Sequence, residues 1–347
     1  MRILHIDTGM MMRGGQAQLM MLVRGLARKG HGQTIACPPA SQLARAAEGF
    51  TILPIERGYW NAISVIRGTR GYDIVAAHDS RSQTISYLAT IGKRVVRVAD
   101  RLVAFEPSNR FTHQLKYTRT CDIVIASSQA VKDTMVRNGV PSAHIEVIRG
   151  GIEFPQKLPP RAEARARMRA TWKLAPDAFV IGHLAAFTAE KGQADALQAL
   201  AALLPRHPNL YMILAGDGPL LAQLKARAPA AALFPGYIQA GADFYAGLDL
   251  FLANSTSEAL GLSPLYAMAH QVPVIASTVG GLPEVVGDGG WLIPPADTAA
   301  LVLAIEEAMA NLGQTAQRAR EHARHFDAEV TVDRTEALYR KLLSLTI

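Results

Sequence analysis

The chain has 347 residues, 49% of them hydrophobic, and carries a formal net charge of +7. Its length exceeds the usual span of one hydrophobic core, so two domains are expected, and its apolar content excludes a disordered chain. No stretch reaches the ~18–20 uninterrupted apolar residues of a membrane span. The two cysteines, Cys37 and Cys121, have no CxxC spacing, which fits a reducing cytoplasm and buried small hydrophobes rather than a metal or redox centre.

Arg2 to Asp7 reads as a first strand, because Asp7 interrupts what would otherwise resemble a leader. The loop from Thr8 to Gln16 holds Arg13-Gly14-Gly15, and an amphipathic helix follows to about Lys29. Paired glycines before a helix let backbone N–H groups approach a ligand, and the helix dipole favours a negative one. Short apolar runs then predict strands at residues 33–36, 51–54, 73–77, 94–98, 122–126 and 146–148, with helical stretches between, at 62–68, 83–91 and 129–138 for example. The alternation predicts a parallel sheet covered on both faces. The strand at 73–77 runs into His78-Asp79-Ser80-Arg81. Side chains just past the C-terminal end of a parallel strand sit where ligands bind, so His78 is a site candidate.

Residues 154–160 hold three prolines, and an Arg/Ala-rich helix follows at 161–169. This is the expected boundary between a first domain, 1–158, and a second, 159–327. The pattern then restarts with a strand at 179–184, a loop carrying Glu190-Lys191-Gly192 and a helix to about 204. A strand at 210–214 leads into Ala215-Gly216-Asp217-Gly218-Pro219, and a short strand is predicted at 232–234. Helices are predicted at 298–311, 315–325 and 328–344. The halves share architecture rather than sequence, so no tandem repeat is assigned.

Between these elements lies Asn254 to Trp291. The apolar run 248–253 feeds Ser255, Thr256, Ser257 and Glu258; Gly261 permits a tight turn, 262–269 has helical composition, and a second strand is predicted at 272–276. Strand, polar loop, glycine and helix present a helix N-terminus to an anion. Gly261, Leu262 and the polar residues before them are candidate ligands for a diphosphate. Pro264 has no N–H but suits the first turn of a helix.

These motifs, in this order, resemble the retaining GT-B glycosyltransferases of family 4. The second half carries EKG at Glu190–Gly192, AGDGP at Ala215–Pro219, the run from Asp249 to Ala269 and the run from Val272 to Pro295. The first half carries GGQAQ at Gly14–Gln18, the segment to His31, the strand ending at Arg81 and the segment ending at Glu153. The resemblance implies an α/β GT-B fold of two doubly wound parallel-sheet domains facing a cleft. The first domain would bind the acceptor and the second the nucleotide sugar, with a last helix within 328–347 crossing back to the first. It implies a catalytic group of His78, Lys191 and Glu258, with Lys191 on the diphosphate, Glu258 on the donor sugar and His78 near the reaction centre. Donor-binding positions would be Gly14, Gly15, Gly216, Gly218, Ser257, Gly261, Leu262 and Tyr266. Retention in the family is front-face, so no general base is named. No Asp-x-Asp signature lies in a suitable loop, and neither metal nor cofactor is expected.

Three positions depart from the family pattern. Tyr266 stands where the family has a second glutamate that holds the ribose. Ala186 stands where it has an arginine, a phosphate cation worth ~1.5–3 kcal/mol if it makes a charge-assisted hydrogen bond. Arg149-Gly150 replaces a proline-asparagine. The alternative to an enzyme is therefore a non-catalytic nucleotide-sugar-binding or scaffold protein; a phosphorylase or epimerase is a third reading. Residues 1–160 carry 21 Lys and Arg against 11 Asp and Glu, a net of +10, and the remainder 15 against 18, a net of −3. The basic half suits an acidic partner such as an anionic membrane surface, reached by Arg94, Arg97, Arg101, Arg110, Lys116 and Arg119. No nucleic-acid signature is present. The expected acceptor is a glycan or lipid-linked glycan, such as lipopolysaccharide, met in the cytoplasm or at the inner face of the membrane.

Overall fold

A computed structural model describes residues 1–56, 58–102, 109–238 and 240–345. The chain forms two compact units, Met1–Glu153 with Asp327–Ile347, and Phe154–Phe326. In the first unit seven strands, β1 (Arg2–Ile6), β2 (Gly32–Cys37), β3 (Thr51–Pro54), β4 (Ile74–Ala77), β5 (Val96–Arg101), β6 (Ile123–Ala126) and β7 (Ile145–Val147), form one sheet. Their order is β3-β2-β1-β4-β5-β6-β7, and every pairing is parallel. The second unit repeats the plan with β8 (Phe179–Leu184), β9 (Leu210–Ala215), β10 (Ala232–Gly236), β11 (Leu250–Ala253), β12 (Val274–Ser277) and β13 (Gly290–Ile293), in the parallel order β10-β9-β8-β11-β12-β13. The fold is GT-B: two doubly wound α/β domains.

A sheet covered on both faces buries every side chain of its central strands. β4, β11 and β12 are buried at all four positions. In each sheet the strand order reverses once, between β1 and β4 and between β8 and β11. Loops leaving the carboxyl ends of strands that flank such a point diverge to opposite faces and leave a crevice. The loops after β8 and β11 carry Lys191 and Glu258; the loop after β1 leads into Gly14-Gly15 at the start of a helix, and that after β4 carries His78.

Several elements differ from their sequence reading. Gly14 and Gly15 are the first turn of the Gly14–Arg28 helix rather than the loop before it, and neither has a positive φ. A helix at Arg110–Arg119 has only Tyr117 buried, so hydrophobic periodicity gives no signal for it. A five-residue helix, Leu282–Val286, and the edge strand β13 subdivide the stretch before and around Trp291. The first unit ends at Glu153. Phe154 is buried in the second unit, where the guanidinium of Arg320 lies 4.6 Å and that of Arg324 5.1 Å from its ring. Arg320 also donates to the Pro155 carbonyl at 2.9 Å, so the proline-bearing segment belongs to the second unit.

The helix Ala328–Ser344 packs in the first unit. Ala328, Val332, Leu338 and Tyr339 are buried with Ile3, Leu22, Leu26, Ile74 and Val98 in one core cluster. Lys29 pairs with Asp333 at 2.6 Å and with Glu336 at 3.2 Å, and His31 meets Glu336 at 2.9 Å. Residues 346–347, grouped with this helix by sequence, lie outside the described residues.

Candidate active site

In the second unit the loop after β8 ends in a single 3-10 turn, Ala189–Lys191, and Gly192 then starts the helix Gln193–Leu203 at φ 71°. A Cβ at Gly192 would lie 2.2 Å from the Asn254 carbonyl oxygen. Glycine is required there because the two loops touch: Asn254 donates its amide N–H to the Gly192 carbonyl at 2.7 Å, and the Thr256 N–H donates to the Glu190 carbonyl at 2.8 Å. That clasp sets the side chains of the two motifs against each other. The Lys191 ammonium donates to Glu258 Oε2 at 2.7 Å, and both side chains stay partly exposed, 20% and 25%.

Gly280 supports Glu258 from behind, since a Cβ there would sit 1.6 Å from the Glu258 carbonyl oxygen. Gly261, at φ 101°, turns the chain into the helix Leu262–Ala269, which has no side-chain cap on its N-terminus. The first-turn N–H groups, from Leu262 onward and omitting Pro264, are left for a ligand. Gly216 and Gly218 back the Ala185–Phe187 segment that leads to Lys191; each Cβ would strike a carbonyl oxygen of that segment, Ala185 at 1.9 Å and Phe187 at 2.6 Å. Ser257 is half-buried beside Glu258. Tyr266 lies one turn into the helix with its ring stacked on Tyr245, centroids 5.9 Å apart. Beneath the lysine, His183 is fully buried and its Nε2–H donates to the Lys191 carbonyl at 3.0 Å. Burial, aided by the lysine charge, pulls its pKa down to about 4, so His183 is a neutral prop for the loop.

In the first unit His78 is buried, 6% exposed, and both of its ring nitrogens are engaged. Nδ1 lies 2.6 Å from Asp100 Oδ2, and Nε2 lies 2.9 Å from His5 Nδ1. His5 Nε2 meets Gln33 Oε1 at 2.8 Å, and the Gln33 amide donates to the His31 carbonyl at 3.1 Å. The last bond fixes the direction of the rest. Gln33 Oε1 must accept from His5 Nε2–H; His5, held neutral by burial, then accepts at Nδ1 from His78 Nε2–H, and His78 Nδ1–H donates to Asp100. With a proton on each nitrogen His78 is an imidazolium paired with a carboxylate. Burial opposes that charge, but the charge and hydrogen bond of Asp100, with Asp7 and Asp79 behind, outweigh it and raise the pKa. His5 is held neutral, its pKa lowered to about 3 by burial and by the His78 charge.

Around the glycine pair, Gln16 accepts from the Arg13 N–H at 3.1 Å and donates to Asp7 at 3.0 Å. Gly15 itself packs near Leu102, where a Cβ would approach the Leu102 side chain to 3.3 Å. Among the described residues no group of three or more His, Cys, Asp or Glu side chains is placed to hold a metal ion. No described helix is long and apolar enough to cross a membrane.

Residues 164–326 match the family model of the glycosyl transferases group 1, and residues 12–154 match that of glycosyltransferase family 4. The chain belongs to the GT-B glycosyltransferases of family 4. Among relatives of this family, glycogen synthase of Bordetella parapertussis is 34% identical over 169 residues, 46% of this chain and 32% of its own length. The lipopolysaccharide core biosynthesis mannosyltransferase LpsB of Rhizobium meliloti is 34% identical over 198 residues, 53% of this chain and 54% of its own length. The chain thus spans from about a third to about half of the length of these two relatives. HepE of Anabaena, solved in complex with UDP and glucose, superposes with a TM-score of 0.85 over 97% of this chain and 98% of its own, at 20% identity, and shows the shared fold.

Sequence reasoning singled out Lys191, Glu258 and His78 but missed Asn254, His183, Gly280, His5 and Asp100. Asn254 and Asp100 had a usable signal, since both sit at the carboxyl ends of predicted strands. His5 had none, because a histidine inside an apolar strand reads as core.

Proposed function

We propose that this chain transfers a sugar from a nucleoside diphosphate sugar to a hydroxyl of a glycan or lipid-linked glycan, with retention and without a metal. The observation that carries the reading is the Lys191–Glu258 pair, 2.7 Å apart beside the uncapped helix N-terminus of Leu262–Ala269. A cation and open N–H groups are what a departing diphosphate needs, and a carboxylate beside them suits a donor-sugar hydroxyl. On donor binding the Lys191 ammonium would turn from Glu258 to the diphosphate, freeing Glu258 for the sugar. The bond from the anomeric carbon to phosphate oxygen breaks, the bond to the acceptor oxygen forms on the same face, and the acceptor proton passes to the leaving diphosphate. Gly216, Gly218, Ser257, Gly261, Leu262 and Tyr266 line the donor on this reading, and within the first unit His78 acts through Asp100 rather than by direct contact.

HepE, bound to UDP and glucose, supports a uridine donor, and the name of LpsB supports a lipopolysaccharide-type acceptor. A cytoplasmic site of action, with peripheral contact to an anionic membrane, accords with the basic N-terminal half. The test is product formation from UDP-, GDP- and ADP-sugars, with EDTA present, offered water-soluble glycans and the same glycans on lipid carriers in anionic vesicles. Transfer giving the α-anomer from an α-donor is expected. Binding without turnover across the whole panel would leave only the non-catalytic reading; no donor binding at all would sink both.

A further inference from the structure

A small cavity in the first unit lies beside the His78–Asp100 pair. Its polar lining is Gln18, His78, Asp100, Ser127, Thr331 and Thr335, with Leu19, Leu22, Ile125 and Ile148 among its apolar walls. Its volume is about 40 Å3, room for one or two small polar groups. Most of the polar lining is already used. Gln18 both donates to and accepts from the backbone of Gly151, at 2.6 and 3.0 Å. Thr331 donates to the Arg149 carbonyl at 2.9 Å and Thr335 to the Thr331 carbonyl at 2.8 Å. Two lining oxygens are not: Asp100 Oδ1 and Ser127 Oγ are buried without a hydrogen-bond partner among the described residues. A third such oxygen, the Tyr339 hydroxyl, is fully buried close enough for the Asp100 charge to act on it.

Buried polar atoms are nearly always paired, and a desolvated carboxylate oxygen without a donor is costly. Clustering of such atoms around one cavity therefore marks one half of a hydrogen-bonded site. The chemistry selects the occupant. Asp100 Oδ1 only accepts, and Ser127 Oγ–H both donates and accepts. A phosphate is excluded by size and by the carboxylate, since both N–H groups of His78 are committed elsewhere. An apolar group would leave Oδ1 unpaired. A hydroxyl, which donates to one oxygen and accepts from the other, satisfies both.

We propose that Asp100 and Ser127 form a subsite for a hydroxyl or hydroxymethyl group of the acceptor, with the His78–His5–Gln33 chain holding the Asp100 carboxylate in place. The proposal rests on the reading of the chain as a glycosyltransferase whose first unit takes the acceptor. It makes Asp100 and Ser127 specificity-determining residues, and His78 a positioning residue.

The experiment first establishes transfer by the wild-type chain, using the donor and acceptor found above; failure at that point removes the functional reading and is seen before any variant is made. Acceptor and donor KM are then measured for Ser127→Ala and Asp100→Asn, and for Ser127→Ala with acceptors lacking one hydroxyl each. Among the described residues Ser127 Oγ has no partner to lose, so Ser127→Ala keeps the test alive if Asp100→Asn fails to fold. The expected result is an acceptor KM raised about three- to tenfold in Ser127→Ala, the size of one net hydrogen bond, with donor KM moving less than about twofold. One deoxy acceptor should show the wild-type penalty and no further loss in the variant. A raised donor KM with unchanged acceptor KM would overturn the assignment in favour of a donor hydroxyl. Unchanged values for both substrates would overturn it in favour of a buried water only.

Discussion

Lys191 and Glu258 lie 67 residues apart in sequence, and the ion pair between them is partly exposed at 20% and 25%. In that setting the pair adds little to stability, since exposed salt bridges contribute about 0–1 kcal/mol. On the proposed reading its value is in holding the ammonium beside the helix N-terminus, where a diphosphate would displace the carboxylate. Lys191→Ala should therefore lower kcat by about 10²–10³, the effect of removing one preorganised charge-stabilising group. The melting temperature should stay within about 2 °C. Steady-state kinetics and a thermal melt check this together; a melt shifted as strongly as turnover would make Lys191 structural. Both residues stood out through the resemblance to the family's motifs, not from local sequence alone. Tyr266 was legible only as a departure, because its stacking on Tyr245 depends on a neighbouring helix that no local pattern reveals. His78 was legible as a strand-end residue, but its partner Asp100 lies on the next strand of the sheet, and the protonation of the pair follows from His5 and Gln33, which are contributed by two further strands.

Among the elements, the last helix is tied to the first by one close approach. Gly25 is buried in the Gly14–Arg28 helix, and a Cβ there would lie 2.3 Å from Cγ2 of the fully buried Val332. Glycine inside a helix is unfavourable by about 1 kcal/mol relative to alanine, so its presence needs such a packing reason. Gly25→Val should destabilise the protein by about 1–3 kcal/mol through overpacking. Combining it with Val332→Ala should recover part of the loss, and urea unfolding of the four members of the cycle measures the coupling. Strict additivity would show that the two helices do not meet there. The helical character of residues 328–344 is plain from its apolar spacing. Its docking on the first unit was implied only by the family resemblance, since an amphipathic face does not say which core it covers. The Arg110–Arg119 helix shows the opposite limit: with one buried residue it has almost no apolar stripe to read.

Over the whole molecule, buried histidines shape the response to pH. His183 and His5 are held neutral inside, with pKa values of about 4 and about 3 against the ordinary 6.5. Between those values the unfolded chain takes up protons that the folded chain refuses, so stability falls as pH drops from about 6.5 toward 4. The slope is about 1.4 kcal/mol per pH unit for each histidine. His78 acts with the opposite sign: its pKa is raised, so its contribution is complete below 6.5 and is lost as pH rises through the folded value. Of the three, only His5 and His183 slope the acid limb. His183→Gln should flatten it, measured as the difference in urea unfolding free energy between pH 7 and pH 5. An acid limb as steep as that of the wild type would refute the assignment.

Alternating short apolar runs and helical stretches were enough to establish two doubly wound sheets, because burial on both faces of a parallel strand writes itself directly into composition. Gly216, Gly218 and Gly261 stood out as glycines in loops after strands, where the backbone takes positive φ angles that few other residues adopt, whereas Lys191 and Glu258 were singled out only through the resemblance to the family's motifs. What the tertiary structure alone decided is which loops meet. Strand order sets β8 beside β11 and β4 beside β5, and from that follow the Lys191–Glu258 pair, the burial of His78 against Asp100 and the cavity next to them. Pairing of distant strands depends on the packing of the whole sheet, and no local period in the chain records it.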